Sequence, residues 1–293
     1  MSKILKALEK AGKEGALEPG PAVAAEAAVA APEPPAAGVP GRPVRRRRRS
    51  GVVVTQAPDP ENLKGVDPHV VALHKPMSVI AEQYRGLRSR IERANLDGRI
   101  QTLVITSAFK GEGKSVTAAN LAAVLAQDAT KAVLLVDADL RRPRIHRLLG
   151  LPGTPGLGDL LHGRAALEEV VRTTPFYGLS VITAGAVDGH PAELLASPEF
   201  EDFIARVRTE YDYIILDTPP LHPISDVNFV ADAVDGILLV VRAHKTHRGL
   251  VKQAVDAVPR EKLLGTVLNR VESLRSGYGY GYGGAGYYYY KYY

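Results

Sequence analysis

Six short runs of apolar residues constrain the fold of this 293-residue chain more than any other feature. The runs are almost continuously apolar, which is typical of strands buried on both faces of a parallel sheet. Helical stretches at 115–127 and 198–209 separate some of them, so the order of elements predicts a doubly wound α/β fold with a mostly parallel sheet. The predicted strands are Thr102–Thr106, Ala132–Val136, Ser180–Thr183, Tyr213–Leu216, Ile237–Val241 and Thr266–Leu268.

Composition divides the chain into three parts. Residues 1–65 are rich in Ala, Pro and Gly and include five consecutive arginines at 45–49. This segment is predicted to be disordered, with residues 1–14 forming either a short amphipathic helix or a frayed terminus. Residues 66–275 are predicted to be the folded domain. Residues 276–293 form a low-complexity tail that holds nine of the thirteen tyrosines.

Charge and cysteine content exclude several classes of function. The first 60 residues hold ten Lys or Arg against six Asp or Glu, whereas the remainder is almost balanced, so no nucleic-acid partner is expected for the folded part. The chain has no cysteine, which excludes disulfides, thiolate metal sites and cysteine nucleophiles. No apolar run approaches the roughly 20 residues that span a bilayer, so a cytoplasmic location without an anchor of its own is predicted.

A glycine-rich segment after the first predicted strand is the strongest functional motif. Residues 107–115 read SAFKGEGKS and lie between a strand and a helix, which is the context that a phosphate-binding P-loop requires. Glycines let the backbone approach phosphate, the lysine reaches the β and γ phosphates, and the serine hydroxyl binds Mg²⁺. This pattern predicts binding of ATP with Mg²⁺. The candidate nucleotide-binding residues of the loop are Lys110, Gly111, Glu112, Gly113, Lys114, Ser115 and Val116.

Acidic residues end two of the predicted strands. Asp217 follows the run YIIL, and Asp137 and Asp139 follow AVLLV, at the sheet edge where nucleotides bind in such folds. Asp217 and Asp139, with Ser115, are the candidate Mg²⁺ ligands. Asp137 or Asp139 is the candidate base for an incoming hydroxyl. With Lys114, these three aspartates form the predicted catalytic set. The alternative for the pair is a helix cap plus a solvated carboxylate.

Three segments together resemble the Walker A, A′ and B motifs of the bacterial tyrosine kinases (BY-kinases): SAFKGEGKS at 107–115, VDADLRRP at 136–143 and LDTPP at 216–220. The resemblance implies an ATP-dependent autokinase of P-loop type that phosphorylates its own tail on a neighbouring copy. It also implies that Asn269 contacts the adenine, with Arg242 and Thr246 nearby. The implied phosphoacceptors are Tyr278, Tyr280, Tyr282, Tyr287, Tyr288, Tyr289, Tyr290, Tyr292 and Tyr293.

The resemblance extends to assembly and location. Glu82, Arg85 and Arg88 match the E-x-x-R-x-x-R motif through which the family forms rings, so a homo-oligomer, ring or dimer, is expected. An ordinary solvated helix face is the alternative. Members that lack a membrane segment are activated by a membrane-embedded polysaccharide chain-length regulator. This implies recruitment to the inner face of the membrane and a role in exopolysaccharide synthesis or export.

Lys110 departs from the family pattern and supports a second hypothesis. It resembles the signature lysine of deviant Walker ATPases, which position division sites and partition plasmids. In those proteins the lysine reaches the nucleotide of a partner subunit. Under this hypothesis the output is nucleotide-dependent dimerisation, with no phosphotyrosine formed.

Overall fold

The computed structural model describes residues 58–222 and 230–271. Several predicted features lie outside the described residues: the amphipathic helix at 1–14, the arginine run at 45–49 and the nine tail tyrosines. Among the residues that are described, no helix is long and apolar enough to cross a bilayer.

A seven-stranded sheet in the order β3-β4-β2-β5-β1-β6-β7 forms the centre of the fold. Every neighbouring pair is parallel except β3 and β4. The predicted doubly wound α/β fold is therefore confirmed, with strand ends within three residues of those predicted. The strand β3 was not predicted, because two residues carry no recognisable pattern. The strands are β1 Thr102–Ser107, β2 Val133–Asp137, β3 Arg172–Thr173, β4 Ser180–Ile182, β5 Tyr213–Asp217, β6 Gly236–Arg242 and β7 Leu263–Asn269.

Helices cover both faces of the sheet. Ser78 and Ser197 each cap the start of a helix through the side-chain oxygen, which satisfies a free backbone N–H there. A 3₁₀ turn at Pro60–Leu63 precedes the first helix. The helices are α1 Val71–His74, α2 Val79–Ala94, α3 Lys114–Ala126, α4 Ile145–Leu149, α5 Leu157–Leu161, α6 Leu167–Val170, α7 Pro191–Leu195, α8 Pro198–Arg208 and α9 Arg248–Asp256.

Two apolar cores form because successive strand residues point to opposite faces. On β1, Val104 belongs to the core that also contains Phe200 of α8. Its neighbours Leu103 and Ile105 belong to the other core, which is packed against the Ala-rich helix α3. Every residue of β1, β2 and β5 is buried, which explains the continuous apolar runs in the sequence.

The segment before α2 is fastened to α3 by one buried side chain. Asn120, which is fully buried, accepts the backbone N–H of Ala72 at 2.9 Å through its Oδ1. Its Nδ2 donates to the carbonyl oxygens of His69 and Val116 at 2.9 and 2.8 Å. The helix that begins at the glycine-rich loop is thereby held against the preceding segment of the chain.

Strand register brings the acidic strand ends together. Asp137 of β2 is paired directly with Asp217 of β5, and Asp217 is level with Ile105 of β1. The strand β1 lies between β5 and β6. It ends at Ser107, two residues after Ile105, where the glycine-rich loop begins. The loop and both carboxylates therefore share the carboxyl edge of the sheet, as predicted.

Candidate active site

The backbone of the glycine-rich loop is shaped for an anion. Gly111 and Gly113 have φ values of +81° and +96°, which side chains rarely allow. Gly113 is the N-cap of α3, and no side chain caps its free N–H groups, so they remain available to a phosphate. A Cβ at Gly113 would lie 2.1 Å from Nδ2 of Asn269, so the position also lacks space for a side chain.

Lys114 lies at the centre of the polar cluster beneath this loop. Its Nζ is 2.6 Å from Oδ2 of Asp139 and 3.4 Å from Oδ1 of Asp217. It also donates to Oγ of Ser115 at 3.3 Å. The lysine side chain is only 12% exposed, and the two carboxylates are 5% and 0% exposed. The structure therefore brings four of the predicted residues into direct contact.

Asp137 is fixed by the backbone that follows it. Its Oδ2 accepts the N–H groups of Arg144 and Ile145 at 3.0 and 2.9 Å. Its Oδ1 and the Oδ2 of Asp217 are buried without a hydrogen-bond partner among the described residues. Unpartnered buried carboxylate oxygens are costly, so these two atoms are free to accept a proton or to approach a cation.

Burial and charge shift the pKa values of this cluster. Burial raises the pKa of Asp137 to about 8, and the neighbouring charge of Asp217 adds to the effect. Burial also raises the pKa of Asp217, against the opposing influence of Lys114. Burial lowers the pKa of Lys114, but the carboxylates Asp217 and Asp139 outweigh it, so the lysine pKa is raised. Lys114 therefore remains a cation at neutral pH.

The residues present fit a magnesium ion that is bound mainly by nucleotide phosphates. Within 58–222 and 230–271, no group of three or more His, Cys, Asp and Glu side chains could hold a metal alone. Mg²⁺ commonly takes one or two protein ligands and completes its shell with phosphates and water. The hydroxyl of Ser115 and the free oxygen of Asp217 are suited to that role, and Asp139 adjoins them.

A second set of contacts ties the loop to the ends of β6 and β7. Glu112, 3% exposed, accepts the N–H of Phe109 at 3.0 Å and the hydroxyl of Thr246. Its carbonyl oxygen accepts Nδ2 of Asn269 at 2.7 Å. Arg242 is paired with Asn269 across β6 and β7. The residues expected near the adenine thus adjoin the loop, and the bridging carboxylate of Glu112 was not anticipated from the sequence.

The other residues of the loop contribute differently. Lys110 is exposed, with its Nζ 5.9 Å from the ring centroid of Phe109. Phe109 in turn lies 6.1 Å from the ring of His222. Val116 packs against the core beside α3 rather than offering a polar side chain to the site. Lys110 therefore lies on the outer surface of the loop, whereas Lys114 is turned inward.

The residues predicted for assembly make contacts within their own chain. Arg85 donates to Glu82 at 2.8 Å and to the carbonyl oxygen of Pro76 at 2.6 Å. Arg88 donates to the carbonyl oxygen of Val124 in α3 at 3.0 Å. The two arginine side chains are 23% and 24% exposed, whereas Glu82 is 62% exposed. These contacts fix α2 on α3 and leave the glutamate accessible.

The raised pKa of Asp137 predicts a pH-dependent stability for the protein without nucleotide or metal. The folded carboxyl binds a proton up to about pH 8, whereas an unfolded aspartate releases it near pH 3.9. Stability therefore falls as pH rises through that window, because the folded state binds more protons. In EDTA, Asp137→Asn should flatten this decline and raise the melting temperature at pH 8, as measured by calorimetry.

Asp128→Asn provides the control for that measurement. Asp128 is a partly exposed carboxyl whose pKa is lowered by hydrogen bonds from Thr130. Its replacement should leave the decline between pH 5 and pH 8 unchanged. An Asp137→Asn protein with the same decline as the wild type would contradict the assignment of the raised pKa.

These features define a class of protein. The chain is a P-loop nucleotide-binding protein. It has a strand that leads into a loop with two glycines of positive φ, a lysine that points inward, and acidic residues at the ends of nearby strands. A family model described as AAA domain matches residues 100–258.

The comparisons with known proteins then identify the family. The chain is 40% identical over 203 residues to tyrosine-protein kinase YwqD of Bacillus subtilis (strain 168), covering 69% of this chain and 85% of that protein. Its fold resembles the kinase domain of Escherichia coli tyrosine kinase ETK with a TM-score of 0.67 and 32% identity, over 73% and 84% of the two chains. The chain belongs to the bacterial tyrosine kinases and is a protein-tyrosine kinase.

The alternative class is less well supported. The cell division ATPase MinD of Pyrococcus furiosus matches with a TM-score of 0.50 and 27% identity, over 59% of this chain and 73% of that one. The ETK kinase domain therefore matches this chain better than MinD does in TM-score, sequence identity and coverage. Similarity to a positioning ATPase reflects a more distant relationship.

Proposed function

We propose that this kinase transfers the γ-phosphoryl group of Mg²⁺-bound ATP to tyrosines in the tail of an adjacent copy. The observation that carries the proposal is the additional carboxylate pair beside the P-loop. Asp139 contacts Lys114 directly, and Asp137 is paired with Asp217 at the same sheet edge. Nucleotide binding needs one acidic strand end, whereas transfer to a hydroxyl also needs a group that accepts its proton.

The chain's own residues account for the steps of this transfer. The N–H groups at the start of α3 bind the phosphates, and Lys114 stabilises the negative charge that develops on the transferring group. A tyrosine hydroxyl, whose ordinary pKa is near 10, gives its proton to the carboxylate of Asp139, or to Asp137 when that carboxyl is itself deprotonated. Its oxygen bonds to the γ-phosphorus as the bond to the β–γ bridging oxygen breaks, and ADP leaves. A bound Mg²⁺ supplies further charge neutralisation on the phosphates.

The tail has the composition and length of a substrate. It carries nine tyrosines in 18 residues and only one charged side chain, that of Lys291. A fully extended segment of 18 residues spans about 60 Å at roughly 3.3 Å per residue, which is enough to enter the site of a neighbour. We further propose assembly into a ring or dimer through α2, where Glu82 is accessible to a neighbouring copy.

Family resemblance supports the wider role. We propose that the kinase acts in the cytoplasm at the inner face of the membrane. There it would be activated by a membrane-embedded polysaccharide chain-length regulator and would control exopolysaccharide synthesis or export. Under this proposal, purified kinase alone phosphorylates its tail slowly, and the cytoplasmic segment of such a regulator accelerates the reaction.

Peptide mapping by mass spectrometry tests the proposed reaction. The full-length protein, first treated with a phosphatase, is incubated with Mg²⁺ and ATP or with Mg²⁺ and ADP. Phosphotyrosine is expected within residues 276–293 in the ATP sample alone. An unmodified tail after incubation with ATP and an activating regulator segment would contradict the proposed function.

A further inference from the structure

A short basic segment adjoins the catalytic carboxylates. The backbone N–H of Arg142 donates to Oδ1 of Asp139 at 3.1 Å. The backbone N–H of Arg144 donates to Oδ2 of Asp137 at 3.0 Å, and that of Ile145 donates to the same oxygen. The two carboxylates thereby fix the backbone of this segment. The side chains of this segment are therefore carried by a backbone that is hydrogen-bonded to the catalytic carboxylates.

The packing of α4 places its arginines on the outside. Ile145, Leu148 and Leu149 are 0%, 7% and 2% exposed and belong to the core. Arg147 of α4 and Arg144, the residue at which the start of α4 is capped, are both exposed. The exposed Arg142 precedes them. Together Arg142, Arg144 and Arg147 are called here the arginine rim.

The arginine rim has no counter-charge in the part of the chain that the structure describes. None of its three side chains forms an ion pair with a described residue. Other arginines of the same domain do have such partners: Arg164 pairs with Asp188, and Arg208 pairs with Asp235. Three guanidinium groups that have no ion pair among the described residues lie beside the phosphoryl-transfer site and provide a surface for an anion.

Charge complementarity separates the modified tail from the unmodified one. The unmodified tail offers the rim no acidic side chain. Each phosphotyrosine adds about −1.5 to −2 charges and three strong acceptor oxygens. The planar guanidinium group matches phosphate oxygens with two parallel hydrogen bonds, which an ammonium group cannot provide. A tail that already carries phosphotyrosine is therefore the anion that fits this surface. The phosphoryl-transfer reaction brings that tail to the site beside the arginine rim.

We propose that the arginine rim is a subsite for phosphotyrosine, which holds a partly phosphorylated tail while its next tyrosine is modified. This inference rests on the proposed function. Every tail tyrosine has another tyrosine one or two residues away, and two residues of extended chain span about 7 Å. A phosphotyrosine bound on the rim thus leaves a neighbouring tyrosine within reach of Asp137 and Asp139. Phosphorylation of the tail becomes self-reinforcing, with each modified tyrosine favouring the next.

Equilibrium binding of tail peptides tests the subsite without any kinase activity. The probe is a fluorescent peptide of residues 284–293, either unmodified or phosphorylated at Tyr288 and Tyr290. The full-length protein is treated with phosphatase and saturated with Mg²⁺ and ADP, so that the P-loop is occupied. Fluorescence anisotropy should show at least tenfold tighter binding of the phosphorylated peptide. A peptide with glutamate at both positions should bind at least several-fold more weakly than the phosphorylated peptide.

Charge-matched variants locate the binding surface. Arg144→Gln with Arg147→Gln should reduce the preference for the phosphorylated peptide to less than about threefold. Arg93→Gln with Arg99→Gln removes the same charge from exposed arginines before β1, at the opposite edge of the sheet, and should preserve the preference. Equal binding of the two peptides to the wild type would overturn the proposal. The proposal would also be overturned if the glutamate peptide bound as tightly as the phosphorylated peptide. It would be overturned as well if the rim variant kept the full preference for the phosphorylated peptide.

The outcomes also separate this inference from the proposed function. If the phosphopeptide binds the rim but the protein never phosphorylates its own tail, the proposed reaction fails and the binding site stands. If the tail becomes phosphorylated but the rim shows no preference, only the subsite is wrong.

Discussion

Lys114→Met should reduce tail phosphorylation by at least 100- to 1,000-fold, because it removes the buried cation that stabilises charge on the transferring phosphoryl group. The lysine also neutralises two buried carboxylates, Asp139 at 2.6 Å and Asp217 at 3.4 Å. Removing one member of a buried ion pair is destabilising, so the melting temperature of the ligand-free variant should fall as well. The rate of ³²P incorporation from labelled ATP, with calorimetry on the same samples, measures both effects.

Two further variants separate catalysis from stability and from the alternative mechanism. Lys114→Arg keeps the charge, and therefore most of the stability, but should remain at least tenfold impaired because a guanidinium group cannot replace the compact ammonium. Lys110→Met should change the rate by less than about threefold, because this lysine is exposed on the loop, with its Nζ 5.9 Å from the ring centroid of Phe109. Equal losses at Lys110 and Lys114 would contradict this expectation and would indicate that Lys110 also acts on the nucleotide, as the signature lysine of deviant Walker ATPases does.

A chain that ends at Ser276 should incorporate essentially no phosphate, since all nine tail tyrosines are absent. Nucleotide binding should remain within about twofold of the wild type, because the P-loop, Asp137 and Asp217 are retained. Anisotropy of a fluorescent ADP analogue measures the binding, and labelled ATP measures the incorporation.

The matched control for this truncation keeps the tail length and removes only the acceptor groups. A full-length chain with all nine tail tyrosines replaced by phenylalanine should behave as the truncated chain does in both measurements. Substantial incorporation into either chain would place the acceptor among the four remaining tyrosines, or on another residue, and would contradict the tail as substrate.

Local patterns were sufficient to predict six of the seven described strands and the position of the site. The apolar runs of β1, β2 and β5 are continuous because both faces of these strands are buried. The P-loop motif that contains Gly113 and Lys114 needs only a strand before it and a helix after it. These features depend on residues close together in the sequence, so one sequence was sufficient to predict them.

Contacts between distant segments could not be predicted in the same way. Glu112 accepts a hydrogen bond from Thr246, which lies 134 residues later in the chain. Neither residue type by itself predicts that the two side chains are in contact. The periodicity of α2 placed Arg85 and Arg88 on one side of a helix. It could not show that Pro76 and Val124 supply carbonyl oxygens to them. Such pairings depend on how the helices pack on the sheet.

Complementation between two inactive chains tests the central claim most directly. The Lys114→Met chain keeps its tail but lacks the catalytic lysine, and the chain that ends at Ser276 keeps the lysine but lacks the tail. Each alone should remain unlabelled with Mg²⁺, labelled ATP and an activating regulator segment. Mixed together, they should give label on tyrosines of the Lys114→Met chain only. If the mixture remains unlabelled while the wild type is labelled, transfer between neighbouring copies is contradicted.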